Sequence, residues 1–181
     1  MLSLTKHAMI KIMLAVMAVF NFSSVTAQHS DNGFKKIFDG KTLNGWEGDM
    51  THWKVEDGNI VAEMTPTNMI KVNTFLIWKG GKPGDFELKA EFRMSRVGNS
   101  GIQYRSELVK GVPFGLKGYQ ADIDGDNVYT GQNYEERGRG FLAKRGEKVT
   151  IEKGKDPVVT SMIDNGDSLK KYIRQDGWNQ I

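Results

Sequence analysis

Apolar and polar residues alternate through most of this chain after its first 27 positions. In Asp85 to Met94 (DFELKAEFRM), Phe86, Leu88, Ala90, Phe92 and Met94 point one way, and Glu87, Lys89, Glu91 and Arg93 the other. Period two over that length predicts a half-buried strand. His52 to Met64 (HWKVEDGNIVAEM) contains two such runs around Asp57-Gly58, which predicts a hairpin. Phe34 to Gly48 carries turn signals at Asp39-Gly40 and Asn44-Gly45, and FLIWKG is a further apolar run. After the turn RVGNSG come IQYRSELV and GYQADID, then strand candidates at Gly140 to Lys144, Lys148 to Glu152 and Val158 to Ile163. DGWNQI, at the carboxyl end, reads as the start of a strand. No helix is predicted after the first 27 residues, and no repeat is visible. Many short strands between glycine-rich turns predict an all-β antiparallel sandwich or barrel.

The first 27 residues break the pattern. Lys6 and Lys11 precede the apolar run Ile12 to Phe20, and the segment ends with small residues around Val25 and Ala27. That order predicts a secretory signal peptide cleaved after Ala27. The apolar run is about half of the roughly 20 residues that a spanning helix needs. The expected organisation is a leader over 1–27, a short linker over 28–33 and one domain over 34–181, in a protein exported to the periplasm or beyond and no longer attached to the membrane.

Composition supports a folded domain: 39% of residues are hydrophobic and 26% charged. The charge of +3 (25 minus 22) shrinks once the leader's two lysines are removed, since 23 minus 22 leaves +1. A balance that close to neutral gives no support to nucleic-acid binding. The chain has no cysteine, so neither a disulfide nor a thiolate-held metal is available to it.

Candidate chemistry concentrates in two predicted strands. In Ile102 to Glu107, alternation places Gln103, Arg105 and Glu107 on one face; in Tyr119 to Asp124 it places Gln120, Asp122 and Asp124 on one face and Tyr119, Ala121 and Ile123 on the other. With the apolar sides turned to one core, the six polar groups form a presented surface of acids, amides and one arginine, suited to gripping hydroxyls. An ordinary solvated face is the alternative. The three aspartates of GYQADIDGDN also raise calcium. Asp122, Asp124 and Asp126 fit the first ligand positions of an EF-hand loop, but the sixth position is Asn127 instead of glycine and the twelfth is Asn133 instead of glutamate. A different calcium site on Asp124, Asp126 and Asn127 stays open. Downstream, YTGQNYEERGRG supplies Gln132, Tyr134, Glu135, Arg137 and Arg139, read either as a loop folding over the polar face or as a charged surface loop. His52 reads as a surface residue at a strand start, and Trp46, Trp53 and Trp78 as core or turn-packing residues.

Five segments in order, IFDGKTLNGWEG, HWKVEDGNIVAE, GDFELKAEFRM, GNSGIQYRSE and KGYQADI, resemble the bacterial family once called domain of unknown function 1080 and described as 3-keto-disaccharide hydrolases, or 3-keto-glucoside 1,2-lyase and 3-keto-2-hydroxy-glucal hydratase domains. The resemblance spans Phe34 to Ile181. It implies a concanavalin-like jelly-roll sandwich of antiparallel strands and a small carbohydrate substrate. Two departures stand out. The family's Gly-Tyr-Glu-x-Gln is Gly118-Tyr119-Gln120-Ala121-Asp122 here, with acid and amide exchanged. Members also continue past a Trp-Asn-x-Tyr-x-Ile-like strand into closing strands, whereas this chain stops at Ile181, so the resemblance implies a jelly roll lacking its closing C-terminal strands.

The chemistry so implied is removal of the C2 hydrogen of a 3-keto sugar, departure of the group on C1, and hydration of the resulting enone. It calls for a base, an acid and a donor to the enolate oxygen. Asp122 and Glu107 are the candidates for base and acid, and Arg105 for enolate stabilisation. Gln103, Gln120, Tyr134, Gln132 and Arg137 are candidates for substrate binding. No cofactor is required, and a divalent metal is an alternative electrophile to Arg105. A non-catalytic carbohydrate-binding module on the same sandwich is the second reading, and an inactive fragment the third.

Overall fold

A computed structural model describes residues 33–181, of which 36–181 form one compact unit. The segment through residue 32, which holds the predicted leader and most of the predicted linker, lies outside the described residues. The unit is all-β and antiparallel, as the alternation predicts, in a jelly-roll-like architecture.

Strand β1 (Trp46–Glu47) follows two tight turns. Asp39 builds the first by accepting hydrogen bonds from the backbone of Lys41 and Thr42, both 2.7 Å, and from the Thr42 hydroxyl at 2.8 Å. The Trp46 indole donates to the carbonyl of Ile37 at 3.2 Å. The predicted hairpin forms between β2 (Trp53–Glu56) and β3 (Asn59–Ala62). Its turn residues have φ of +49° at Asp57 and +77° at Gly58, the left-handed pair that a two-residue hairpin requires. His52 braces this hairpin, with Nδ1 3.4 Å from the Glu63 carbonyl. Strand β4 (Ile77–Trp78), within FLIWKG, pairs with β1.

The best-alternating segment forms the least sheet. In Asp85 to Met94 only β5 (Glu91–Phe92) is a paired strand. Its partner, β12 (Asn179–Gln180), is two residues long, and reciprocal bonds between Ala90 and Ile181 (2.9 and 3.0 Å) extend the pairing by one step. A strand needs a neighbour's N–H and C=O groups as well as a pattern.

The centre of the unit is one sheet in the order β6-β7-β8-β9: β6 (Asn99–Leu108), β7 (Leu116–Asp124), β8 (Asn133–Glu136) and β9 (Gly140–Ala143). β8 lies inside the stretch that the sequence reads as a loop, a correction: its pairing with β7, Tyr134 opposite Gln120 and Glu135 opposite Tyr119, supplies hydrogen bonds that its polar composition does not advertise. Beyond it, β10 (Glu147–Thr150) pairs with β11 (Val158–Met162). A short helix α1 (Gly166–Leu169), capped by the Asn165 side chain and continued by a 3₁₀ turn at Lys170–Tyr172, was not expected from the pattern. The buried apolar side chains among the described residues are Leu116, Ile123 and Leu142, all in the central sheet or at its edge. No described helix is long and apolar enough to cross a membrane.

Candidate functional site

The central sheet does not present its faces as simple alternation predicts. Tyr104 pairs with Tyr119, but the next aligned pair is Glu107 with Lys117. Arg105 and Ser106 together oppose Gly118, which is a β-bulge, and Arg105 takes a φ of +48° to make it. One extra residue reverses the alternation beyond it. Gln103 keeps its face, Ser106 takes the place assigned to Arg105, and Glu107 turns to the Tyr104 and Tyr119 side. The grouping of Gln103, Arg105 and Glu107 is thereby corrected. Arg105 lines a cleft with Tyr104 and Tyr119 and pairs with Asp85 at 2.6 Å, while Glu107 is exposed.

Gln103, Gln120, Tyr134 and Phe141 stand in register across four strands. A chain of hydrogen bonds runs along this face. The Ser106 hydroxyl donates to Gln103 Oε1 at 2.8 Å, Gln103 Nε2 donates to Gln120 Oε1 at 3.0 Å, and Gln120 Nε2 donates to Asp122 Oδ1 at 2.5 Å. Two glycines make room for it. A Cβ on Gly101 would stand 2.5 Å from Gln120 Cγ, and one on Gly118 would stand 2.6 Å from Ser106 Cα. The Tyr134 ring meets Phe141 edge-on at 5.1 Å, and its hydroxyl has no hydrogen-bond partner among the described residues.

The β7 part of this polar face is covered, a second correction: Gln120 is 7% exposed and Asp122 7%, while Gln103, Ser106 and Tyr134 are half-buried. Desolvation pushes the Asp122 carboxyl above its ordinary value, the Gln120 hydrogen bond pulls it back, and the charges of Asp124 and Glu136 push it further up. No cation pairs with it among the described residues. The other acids have other employment. Asp124 holds the turn after β7, accepting from the backbone N–H groups of Val128 (3.0 Å), Tyr129 (2.7 Å) and Thr130 (2.8 Å). With those oxygens occupied and Asp126 exposed, the Asp124–Asp126–Asn127 calcium site finds no support, and no group of three or more His, Cys, Asp or Glu suited to a metal occurs among the described residues. Glu135 is bound to Arg139, whose guanidinium and backbone N–H hold its carboxyl below the usual range.

The side chains of the remaining sequence candidates are engaged elsewhere, although the Gln132 carbonyl accepts from the Asp122 backbone N–H at 3.0 Å. Gln132 braces its own loop, donating to the Val128 carbonyl at 2.8 Å. Arg137 sits in the β8–β9 turn at φ +56°, its Nε 3.8 Å from Glu136 Oε1. Sequence reasoning missed Ser106, because a bulge has no signature in YRSE. It also missed Glu136, a buried acid on β8 that accepts from Asn73 Nδ2 at 3.2 Å. The doubled acid of YEE was its one visible sign.

A jelly-roll-like sheet bearing a buried carboxylate in a row of amides, a hydroxyl and an aromatic defines the class: a β-domain with a polar site on its central sheet. The chain belongs to the 3-keto-alpha-glucoside-1,2-lyase-like domain family, which matches it over residues 33–181. It is also similar to a 3-keto-disaccharide hydrolase of Bacteroides thetaiotaomicron, 34% identical over 92 residues that cover 43% of this chain and 29% of that protein. The chain therefore spans under a third of the relative it matches.

Proposed function

We propose that this domain cleaves 3-keto-glycosides by elimination followed by hydration, with Asp122 as the base. The observation that carries the reading is the state of Asp122: buried, without a counter-cation, and hydrogen-bonded to a neutral amide. A carboxylate kept basic by desolvation suits proton abstraction next to a ketone. Asp122 takes the C2 hydrogen as a proton, and the electron pair moves onto the C3 oxygen. The enolate collapses to expel the C1 oxygen, which receives a proton from the Tyr134 hydroxyl. Water then adds at C1 and returns its proton to Tyr134, while Asp122 returns the C2 proton, so the sum is hydrolysis. Gln103 and Gln120 each retain one amide N–H for sugar or enolate oxygens beyond the bond it already donates.

This reading revises three roles, moving Tyr134 from substrate binding to proton donor. Arg105 and Glu107 are on the other side of the bulge and take no part in the scheme. The scheme needs no cofactor, so a chelator is expected to leave turnover within about two-fold. Export by the N-terminal segment belongs to the same proposal and is checked by sequencing the amino terminus of the secreted protein.

The test is solvent isotope incorporation. In deuterated water, elimination and rehydration place deuterium at C2 of the released 3-keto sugar faster than the enzyme-free blank. Direct hydrolysis leaves C2 at the blank level, and that result would remove Asp122 as a carbon base. A saturable affinity for unoxidised disaccharides with no turnover of 3-keto-glycosides would favour the binding-module reading instead.

A further inference from the structure

The other face of the central sheet carries an open cleft of about 560 Å³, bordered by Tyr104, Tyr119, Asn133, Arg139 and the chain around Lys153. That volume is in the range of small-ligand sites. Its polar groups are fixed before any ligand arrives. The Tyr104 hydroxyl donates to Asn133 Oδ1 at 3.0 Å. Glu135, opposite Tyr119 in register, holds Arg139 by two bonds to one oxygen, from Nε at 2.5 Å and from the backbone at 3.0 Å. The Arg139 guanidinium also makes a side-chain hydrogen bond with Tyr119, and the remaining N–H groups of this positioned fork are donors for a ligand. Tyr104 and Tyr119 stand 5.7 Å apart with planes tilted by 43°, so their faces are not closed on each other.

Charge decides the class of ligand. Arg105 is matched by Asp85, Arg139 by Glu135 and Glu152 by Lys155. Lys153 is the one lining charge without an ion-pair partner among the described residues. A cleft so nearly neutral, with aromatic faces and free donors, fits an uncharged polyol better than an anion.

We infer that this cleft is a second carbohydrate-binding site, separate from Asp122, that takes an unoxidised neutral sugar across Tyr104 and Tyr119 with its hydroxyls on Arg139. The sugar's apolar ring face covers the tyrosines, and two neighbouring hydroxyls receive the guanidinium N–H groups. The site lies across the sheet from the acid assigned to catalysis, so it works whether or not that assignment is right.

The experiment is an NMR titration of the full chain with glucose and trehalose, and with glucuronate as the anionic control. Expected are saturable shifts at Tyr104, Tyr119, Asn133 and Arg139, with a Kd on the order of 1 mM. Arg139→Ala is expected to weaken binding by about ten-fold or more, and Asp122→Asn to leave it within about two-fold. Shifts confined to Gln103, Gln120 and Tyr134, no saturation at about ten times that concentration, loss of binding in Asp122→Asn, or glucuronate binding about ten-fold tighter than glucose would each overturn the inference. The shift map on the unsubstituted chain decides the location independently of how Arg139→Ala folds.

Discussion

On one face of the central sheet, Ser106 donates to Gln103, Gln103 to Gln120 and Gln120 to Asp122, and the series ends on a carboxylate that is 7% exposed. On the other, Tyr104, Tyr119 and Arg139 border an open cleft in which nearly every charge has its opposite. The two faces belong to the same strands, and alternate residues of one segment serve both. What separates them is how charge is treated. The cleft face pairs its ions where water screens them. The amide face leaves one acid unpaired where water is excluded, which raises its proton affinity. Chemistry is expected where charge is uncompensated, and binding where it is matched.

The largest expected effect separates the faces by activity. Asp122→Asn is expected to lower kcat on a 3-keto-α-glucoside by about 100-fold or more, the contribution of a general base. Glu107→Gln, across the bulge, is expected to stay within about two-fold. Comparable losses in both would return Glu107 to the site. Asp124→Ala comes next, through stability. It removes the acceptor of three backbone N–H groups in a covered turn, and is expected to cost on the order of 3 kcal/mol in denaturant unfolding. An unchanged midpoint would show that the turn after β7 does not depend on that carboxylate.

Gly101→Ala tests how closely the amide row is packed. The new methyl meets Gln120 Cγ at 2.5 Å, so Gln120 must swing off Asp122. A loss of about 1–3 kcal/mol is expected, with a fall in kcat. The smallest change addresses the bulge. Arg105 holds φ at +48°, where glycine is at ease, so Arg105→Gly is expected to raise stability by about 0.5–1 kcal/mol and leave kcat unchanged. A loss of activity there would place Arg105 in the reaction.

Much of the architecture was legible because alternation reports burial directly. The β2–β3 hairpin, β6, β7, β9 and the start of β12 all lie where the pattern places them. The exceptions have physical causes. Asp85 to Met94 alternates well but has a short partner, and pattern does not supply hydrogen bonds. β8 hides in a polar run because its pairing with β7 supplies what composition does not. In the site, Gln103, Gln120 and Tyr134 are adjacent register positions and Asp122 follows Gln120 by two residues on the same face of β7, which is what shared alternation means. Arg105 and Glu107 are not, because a single inserted residue reverses the faces and a positive φ at an arginine leaves no mark in the sequence.

The direct measurement is the pH dependence of kcat/KM for the unsubstituted chain and for Asp122→Asn. Burial raises the Asp122 pKa above 3.8, so the folded state holds that proton more tightly than the unfolded chain does. Between those two values stability falls as pH rises, so ionised Asp122 is a cost to the fold at neutral pH that Asn removes. Asp122→Asn is therefore expected to melt no lower than the unsubstituted chain at pH 7, which lets its activity be read as chemistry. Because the base must be ionised, kcat/KM is expected to rise with pH through an apparent pKa above 3.8, and the residual rate of Asp122→Asn to lack that limb. An acid limb at or below the ordinary carboxylate value, or one that persists in Asp122→Asn, would contradict the assignment of Asp122 as the base.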